Sequence, residues 1–326
     1  MPPTYSDLMQ LANGYSESQT LLTANALDVF TVIGTRACAA EQIARGCHAN
    51  TEGLRLLLDA LVSLGLLTLH GGRYRNTSLG RRYLDRRSPE AITNLLWLLS
   101  HHWHDWSKLP HALRKVRKGW ARTTASPKFR ERFSWAMHER SHALAKRTIQ
   151  TIRLDPADRR FLDLGGGPGS YAIALAKRYP QLHGVIMDQT VTVARKLIRE
   201  HGLGRRLTVR AGDIFKDDLG DGYDAVLCSN VIHIFNEREN RRLLRRAAAA
   251  LSPGGRLFIV EFFLDASRTA PQKSAVFSVM MYLYTPSGRS YSWLEVEGWL
   301  KTLRLGRFKR HRITPDIGTL EATKLT

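Results

Sequence analysis

The glycine-rich run Phe-Leu-Asp-Leu-Gly-Gly-Gly-Pro-Gly at residues 161–169 constrains the fold of this chain more than any other segment. Apolar residues lead into glycines at the alternate positions Gly165, Gly167 and Gly169, and a helix-forming stretch follows at once. Glycine lets the backbone turn sharply and approach a ligand without a Cβ in the way. A strand, a tight turn and a helix in this order predict the opening unit of a nucleotide-binding α/β sheet.

The residues around this turn discriminate between nucleotide ligands. A dinucleotide fingerprint needs glycine or alanine at the sixth position from Gly165, where this chain has Ser170, and a P-loop needs a lysine that is missing here. Carboxylates precede the turn and follow the next two predicted strands, at Asp163, Asp188 and Asp213. The pattern D-x-G-x-G-x-G resembles the first motif of class I methyltransferases, which bind S-adenosylmethionine. That cofactor has no phosphate and is positively charged, so it tolerates an acidic loop; a sheet of this class without a ligand is the alternative.

The C-terminal half alternates strands with helices from Phe161 onward, which is typical of a doubly wound α/β sheet. Strands are predicted at 160–164, 184–188, 206–210, 223–228, 256–262, 309–313 and 318–324. Helices are predicted at 170–179, 190–201, 236–251 and 292–303. The run Ser252-Pro253-Gly254-Gly255 is interpreted as a break before a strand, and the last two strands are expected to pair antiparallel.

The N-terminal part, residues 1–110, is predicted to be a separate helical domain of winged-helix type. Thr51 is predicted to cap a helix with an apolar stripe that ends at Gly65, and a hairpin with a glycine turn follows. The outward face of that helix carries one arginine beside two carboxylates, which is a poor surface for DNA phosphates. We therefore expect dimerisation and no nucleic-acid partner, with a DNA regulator as the alternative. Residues 111–152 are predicted as bridging helices and 153–326 as the cofactor-binding domain.

Composition indicates the cellular compartment of the protein and the kinds of partner to expect. No apolar run approaches the ~20 residues of a membrane span, and no signal peptide is visible, so we expect no membrane partner. Three cysteines without metal-ligand spacing indicate reduced thiols in the cytoplasm. Half of the net charge of +20 lies in residues 111–160, which carry 14 lysines and arginines against four acidic residues. That stretch is either a solvated helical face or a surface for an anionic substrate or carrier.

Two residues at neighbouring strand ends predict proton-transfer chemistry. His233 follows the predicted fourth strand and Glu261 ends the fifth, so both side chains are expected on one rim of the sheet. Histidine is a natural general base, and a carboxylate can orient it and stabilise its charged form. The alternative is a structural histidine. The sequence His-Glu-Arg-Ser-His at 138–142 matches a zinc motif, but no third ligand follows at a suitable spacing, so no metal is predicted.

The combined pattern resembles the small-molecule O-methyltransferases typified by the plant caffeic acid and hydroxyindole enzymes, with bacterial relatives in natural-product pathways, over nearly the whole chain. It implies a Rossmann-like sheet with an N-terminal dimerisation domain, a homodimer, and S-adenosyl-L-methionine as cofactor. It also implies His233 as the base and Glu261 as the group that holds it. The residues expected to bind the cofactor are Asp163, Gly165, Gly167, Asp188, Asp213, Ile214 and Ser229. The residues expected to line the substrate pocket are Trp103, Met137, Met281 and Tyr282.

Two departures from the family pattern bear on the chemistry. Ile234 and Phe235 stand where the family usually has Asp-Trp, and Ser290 replaces a second supporting glutamate. We expect methyl transfer to a hydroxyl of an aromatic or polycyclic metabolite. Methylation of nitrogen or carbon, and a non-methylating, hydroxylase-like use of the cofactor, are the alternatives.

Overall fold

The computed structural model describes residues 4–114 and 126–325. The predicted bridging segment 111–152, with its basic cluster, therefore falls partly outside the described residues. The chain forms two compact units, which divide between His104 and Asp105.

The first unit contains helices and a single hairpin. Its elements are α1 (Tyr5–Ala26), α2 (Val29–Ile33), α3 (Ala40–Cys47), α4 (Thr51–Ser63), β1 (Leu67–His70), β2 (Arg73–Asn76) and most of α5 (Thr93–Trp106). The predicted order of helix, turn, helix and hairpin is confirmed. The expected cap is wrong by one residue: Asn50 caps α4, because its side chain accepts the N–H of Gly53 at 3.0 Å, and Thr51 begins the helix.

The second unit is a seven-stranded sheet between helices. Its elements are α6 (Leu109–Arg114), α7 (Pro127–Thr151), β3 (Arg160–Leu164), α8 (Ser170–Arg178), β4 (His183–Asp188), α9 (Thr192–Glu200), β5 (Leu207–Ala211), β6 (Tyr223–Ser229), α10 (Glu237–Ala250), β7 (Leu251–Glu261), α11 (Gln272–Tyr284), α12 (Trp293–Lys301), β8 (Leu305–Arg312) and β9 (Gly318–Lys324). The strand order is β5-β4-β3-β6-β7-β9-β8. The expected antiparallel pairing of the last two strands is confirmed. The sheet is parallel apart from β9, which also runs antiparallel to β7.

Alternate residues of the central strands pack into two apolar layers, one on each face of the sheet. Leu257 and Ile259 pack with α10 and α12, whereas Phe258 and Val260 pack with α7 and α8. The strands are nearly continuous apolar runs because both faces are covered by helices. From β3, the next two strands of the chain, β4 and β5, lie on one side in the sheet, whereas β6 and β7 lie on the other side. The loops after the adjacent parallel strands β3 and β6 therefore lead away in opposite directions and frame a crevice at the carboxyl ends of these strands.

Three expectations about the elements need correction. Helix α11 was not predicted, because its β-branched and aromatic residues give little 3.6-residue periodicity. The run 252–255 lies inside β7 as a bulge rather than before the strand, since the pairing register with β6 shifts there. Asp213 was expected at the end of the third strand of the sheet, but that strand ends at Ala211.

Candidate active site

The tight glycine turn predicted after β3 is present, and its three alternate glycines have left-handed backbone. The φ angles are +71° at Gly165, +51° at Gly167 and +73° at Gly169. A Cβ on Gly165 would lie 2.7 Å from a methyl group of Val231, so packing forbids any side chain there. A Cβ on Gly167 would meet nothing closer than 4.0 Å. The turn is therefore closed toward the protein at Gly165 and open at Gly167, where a ligand can approach the backbone.

Asp188, at the end of β4, holds this turn in place. Its two carboxylate oxygens accept the N–H groups of Gly167 at 3.0 Å and Thr190 at 2.8 Å. Burial raises the pKa of Asp188, and these backbone donors oppose the rise. The second lone pair of each oxygen is available to accept another donor. Binding of ribose hydroxyls by Asp188 stays a prediction.

Asp163, on β3, is a fully buried carboxylate that forms no salt bridge with the residues that the structure describes. Neither oxygen makes a hydrogen bond of normal geometry with the residues that the structure describes. Burial, and then the nearby charge of Asp188, raise its pKa to about 7, while the backbone N–H of Ala172 opposes the rise. An ionised carboxylate in such a place is costly unless a positive group compensates it.

Ser229, at the end of β6, is a second buried polar residue, and β6 is the strand next to β3. Its buried hydroxyl has no hydrogen-bond partner in the described parts of the chain. Asn230 follows with a φ of +57°, and its N–H donates to the carbonyl of Val260 at 2.8 Å. The carboxylate of Asp163 lies under the glycine turn at Gly166 and adds negative potential there, and the hydroxyl of Ser229 is unsatisfied; both features fit a positively charged ligand.

Hydrogen bonds from backbone N–H groups to two carboxylates order the turn after β5. The carboxylate of Asp213 accepts the N–H of Phe215 at 2.8 Å, and the carboxylate of Asp217 accepts the N–H of Asp213 at 2.8 Å. Ile214 is half-buried and packs against the apolar layer that contains α10. The carboxylate of Asp213 is therefore already engaged in its own turn, and its contact with an adenine amino group stays a prediction.

Two arginines of α10 fix this turn from outside, and sequence reasoning did not find them. Arg246 donates to the carbonyls of Ile214, at 3.0 Å, and Asp217. Arg242 donates to the carbonyl of Phe215 at 3.0 Å. Arginines spaced along a polar helix give no sequence signal that distinguishes such contacts from a solvated face.

The predicted catalytic pair is brought together. His233 lies in a 3₁₀ turn (Ile232–Ile234) after β6, and Glu261 ends β7. Nδ1 of His233 lies 3.0 and 2.9 Å from the two carboxylate oxygens of Glu261, and both side chains are almost completely buried. The backbone N–H of Phe262 also donates to Glu261, at 3.1 Å. A carboxylate at Nδ1 favours the tautomer with its proton there, which leaves Nε2 as the atom that can accept a proton.

Aromatic rings line the other side of His233. The ring of Phe277, on α11, meets the imidazole edge-on at 4.9 Å between centroids, and Phe262 stacks on Phe277 at 4.3 Å. Gly288 presses on the backbone of the same turn, since a Cβ there would lie 2.0 Å from the carbonyl oxygen of His233. Sequence reasoning missed Phe277 because the helix that carries it was not predicted, and the contacts of Phe262 and Gly288 with this site depend on segments distant in sequence.

Ser290 does not replace the missing carboxylate. It is buried, its hydroxyl donates to the carbonyl of Ser274 at 2.9 Å, and its N–H donates to the hydroxyl of Ser278 at 3.2 Å. Its hydrogen bonds therefore run to α11, and among the described residues Glu261 is the carboxylate hydrogen-bonded to His233.

The residues expected to bind the substrate are spread over both units. Met137 is half-buried on α7, and α11 carries buried Met281 beside Tyr282, whose hydroxyl donates to the carbonyl of Ala112 at 3.3 Å. Trp103 belongs to the first unit, where its ring lies 5.8 Å from that of Tyr15. Their contact with a substrate stays a prediction.

The zinc-like motif on α7 has a structural use. Nδ1 of His138 lies 2.8 Å from the hydroxyl of Ser170, at the start of α8 directly after the glycine turn. Burial, and then the neighbouring His142, lower the pKa of His138 to about 4, so it is neutral at physiological pH. The described residues contain no group of three or more His, Cys, Asp or Glu side chains that could hold a metal ion. No helix in the described ranges is long and apolar enough to cross a membrane.

Comparison with known proteins gives consistent matches. Family models for an O-methyltransferase domain and an O-methyltransferase dimerisation domain match residues 93–302 and 9–86. The 3-hydroxy-5-methyl-1-naphthoate 3-O-methyltransferase of Streptomyces sahachiroi is 29% identical over 90% of this chain and 87% of its own. The N,N-dimethyltransferase OxyT of Streptomyces rimosus is 28% identical over 80% of this chain and 79% of its own. The structure of human N-acetylserotonin methyltransferase in complex with S-adenosylmethionine matches with a TM-score of 0.89 at 26% identity, over 99% of this chain and 98% of that one.

Proposed function

The chain belongs to the O-methyltransferase family, and from that premise we propose that it methylates a hydroxyl of an aromatic or polycyclic small molecule. It is an S-adenosylmethionine-dependent methyltransferase, and its N-terminal unit contains a dimerisation domain of that family. The substrate class is supported by the name of the naphthoate O-methyltransferase relative and by the aromatic rings beside His233. The dimerisation domain supports a homodimer.

The groups at the carboxyl ends of β3, β4 and β6 support binding of the cofactor in this crevice. Bound S-adenosylmethionine supplies a methyl group on a positively charged sulfur. The buried carboxylate of Asp163 and the unpaired hydroxyl of Ser229 match a cationic ligand with hydrogen-bond donors. Gly165, Gly167 and Asp188 form the turn that faces it, and Asp213 with Ile214 borders the adjacent turn.

His233 acts as general base in this proposal, and one observation carries it: Nδ1 of His233 lies 2.9 Å from a carboxylate oxygen of Glu261 in a buried site. Nε2 would remove the proton from the substrate hydroxyl while its oxygen forms a bond to the methyl carbon, and the bond from that carbon to the sulfonium would break to release a neutral thioether. Glu261 holds the imidazole in the required tautomer and stabilises its charged form after proton transfer.

The test compares turnover and cofactor affinity, using labelled methyl transfer to a panel of hydroxylated naphthoates and related polycycles. His233→Ala should lower turnover by ~10²–10⁴-fold, the usual contribution of a positioned base, with the cofactor dissociation constant unchanged. Glu261→Gln should lower turnover less, because the base is retained but its charged form loses its partner. His183→Ala, at an exposed position on β4, is the matched control. Full turnover in His233→Ala would contradict the assignment.

An amine acceptor is the second candidate. It is favoured by Ser290, which leaves His233 without a second carboxylate, and by the resemblance to an N,N-dimethyltransferase. A neutral amine attacks without prior loss of a proton, so it needs the base less than a phenol does. Pairs of substrates that differ only by amino in place of hydroxyl distinguish the two candidates, since only the hydroxyl partner should depend strongly on His233.

A further inference from the structure

A basic pocket lies at the end of the sheet formed by β8, outside the catalytic crevice. Its volume is about 270 Å³. The lining residues come from the end of α7, from the segment after it and from the end of β8: Arg147, Gln150, Thr151, Arg153, His311, Arg312 and Ile313. None of them is acidic, so three guanidinium groups share one concavity without a carboxylate among its walls.

The three arginines have no ion-pair partner in the described parts of the chain. Arg312 makes only a long hydrogen bond, at 3.4 Å, to the carbonyl of Pro315. Glu321, on the neighbouring strand, is paired with Lys309 at 3.0 Å, and its other carboxylate oxygen lies 3.9 Å from Nε2 of His311 in the pocket wall, so it is not paired with any of the three arginines. Like charges gathered in a concave site repel one another, and an anion bound between them removes that repulsion.

Contacts with the sheet hold the walls of the pocket in place. The hydroxyls of Thr151, at the end of α7, and Thr319, on β9, lie 3.0 Å apart. The strand register pairs Arg312 with Gly318, and Gly318 with Glu261. Because neighbouring strands lie about 4.8 Å apart, these two pairings place the Cα atoms of Arg312 and Glu261 about 10 Å apart. Arg312 therefore lies at the same edge of the sheet as the catalytic pair, and the pocket has its own set of lining residues.

The chemistry of the walls selects the ligand. Guanidinium groups bind phosphate oxygens through paired N–H donors, and a dianion gains more than a carboxylate from several cations. The amide of Gln150 adds a neutral donor to the walls, whereas the hydroxyl of Thr151 already donates to the carbonyl of Thr148 at 2.7 Å. We propose that this pocket binds the phosphate group of a phosphate monoester.

The test is calorimetric titration of the intact protein with inorganic phosphate at constant ionic strength. Arg147→Gln combined with Arg312→Gln should weaken phosphate binding at least tenfold. The matched control combines Arg238→Gln with Arg245→Gln, which removes the same charge from exposed positions on α10 and should leave the affinity within twofold. Equal weakening in both double variants, or no saturable binding to the wild type, would overturn the proposal.

Chemical modification of the wild-type protein gives an independent readout that does not depend on folding of a variant. Phenylglyoxal modifies accessible arginines, and mass spectrometry locates the sites. Phosphate, but not acetate at equal ionic strength, should protect Arg147 and Arg312 and leave Arg238 reactive. Equal modification with and without phosphate would contradict the site. Neither readout requires methyl transfer, so its failure is distinct from failure of the proposed reaction.

Discussion

Asp163 offers a prediction whose magnitude follows from its burial. The carboxyl has a pKa of about 7 in the folded protein, against an ordinary value of 3.8. Between these two values the folded state binds more protons than the unfolded state, so stability falls as pH rises from 3.8 toward 7. Above pH 7 the full penalty of the ionised group is present, about 4 kcal/mol at ~1.4 kcal/mol per pKa unit.

Replacing the carboxylate by its neutral isostere removes the part of this penalty that depends on pH. The linkage relation makes this penalty less than half as large at pH 5 as at pH 8, where it is on the order of 4 kcal/mol. Asp163→Asn should therefore gain on the order of 2 kcal/mol or more relative to the wild type between pH 5 and pH 8. The cost of burying the amide is the same at both pH values and cancels from this difference.

Urea unfolding of both proteins without cofactor at pH 5 and pH 8 measures the quantity directly. Asp221→Asn, at an exposed position, is the control and should follow the wild type at both pH values. A gap between Asp163→Asn and the wild type that is constant with pH would refute the reasoning, because it would mean that Asp163 ionises as easily in the folded protein as in the unfolded chain.

Further predictions concern the two turns that border the site. Arg246→Lys should raise the cofactor dissociation constant about tenfold without changing turnover at saturation, because up to two carbonyl hydrogen bonds are lost. Arg245→Lys, exposed on the same helix, should have no effect, and equal affinities would remove the positioning role. Gly288→Ala should lower turnover more than tenfold with cofactor affinity retained, since its Cβ displaces the His233 turn. Gly298→Ala, which meets nothing within 4 Å, should stay active; equal turnover in both would contradict the close contact.

The parts of the fold that were predictable are those whose residues have few alternative uses. Glycines at alternate positions after an apolar strand have one common explanation, and the φ angles of Gly165 and Gly167 agree with it. The strand ends then fixed where His233 and Glu261 would meet, because parallel strands bring their carboxyl ends to one edge. Local sequence and topology were sufficient for this pair.

What the sequence did not predict depends on contacts between distant segments. Helix α11 carries mixed β-branched and aromatic residues, so its periodicity is weak and its contribution of Phe277 to the site was missed. The carbonyl contacts of Arg242 and Arg246 require the turn after β5 to fold back on α10, which no local pattern encodes. Ser290 was recognised as a departure from the family pattern, but its hydrogen bond to Ser274 was visible only in the structure.

The measurement that tests the central claim most directly is the pH dependence of labelled methyl transfer by the wild type and by His233→Ala. A free phenol has a pKa of about 10, so near that pH the substrate ionises without a base. If His233 is the base, the defect of ~10²–10⁴-fold at pH 7 should shrink steadily as the pH approaches 10. A defect of the same size at every pH would show that His233 only shapes the site, and it would contradict the account.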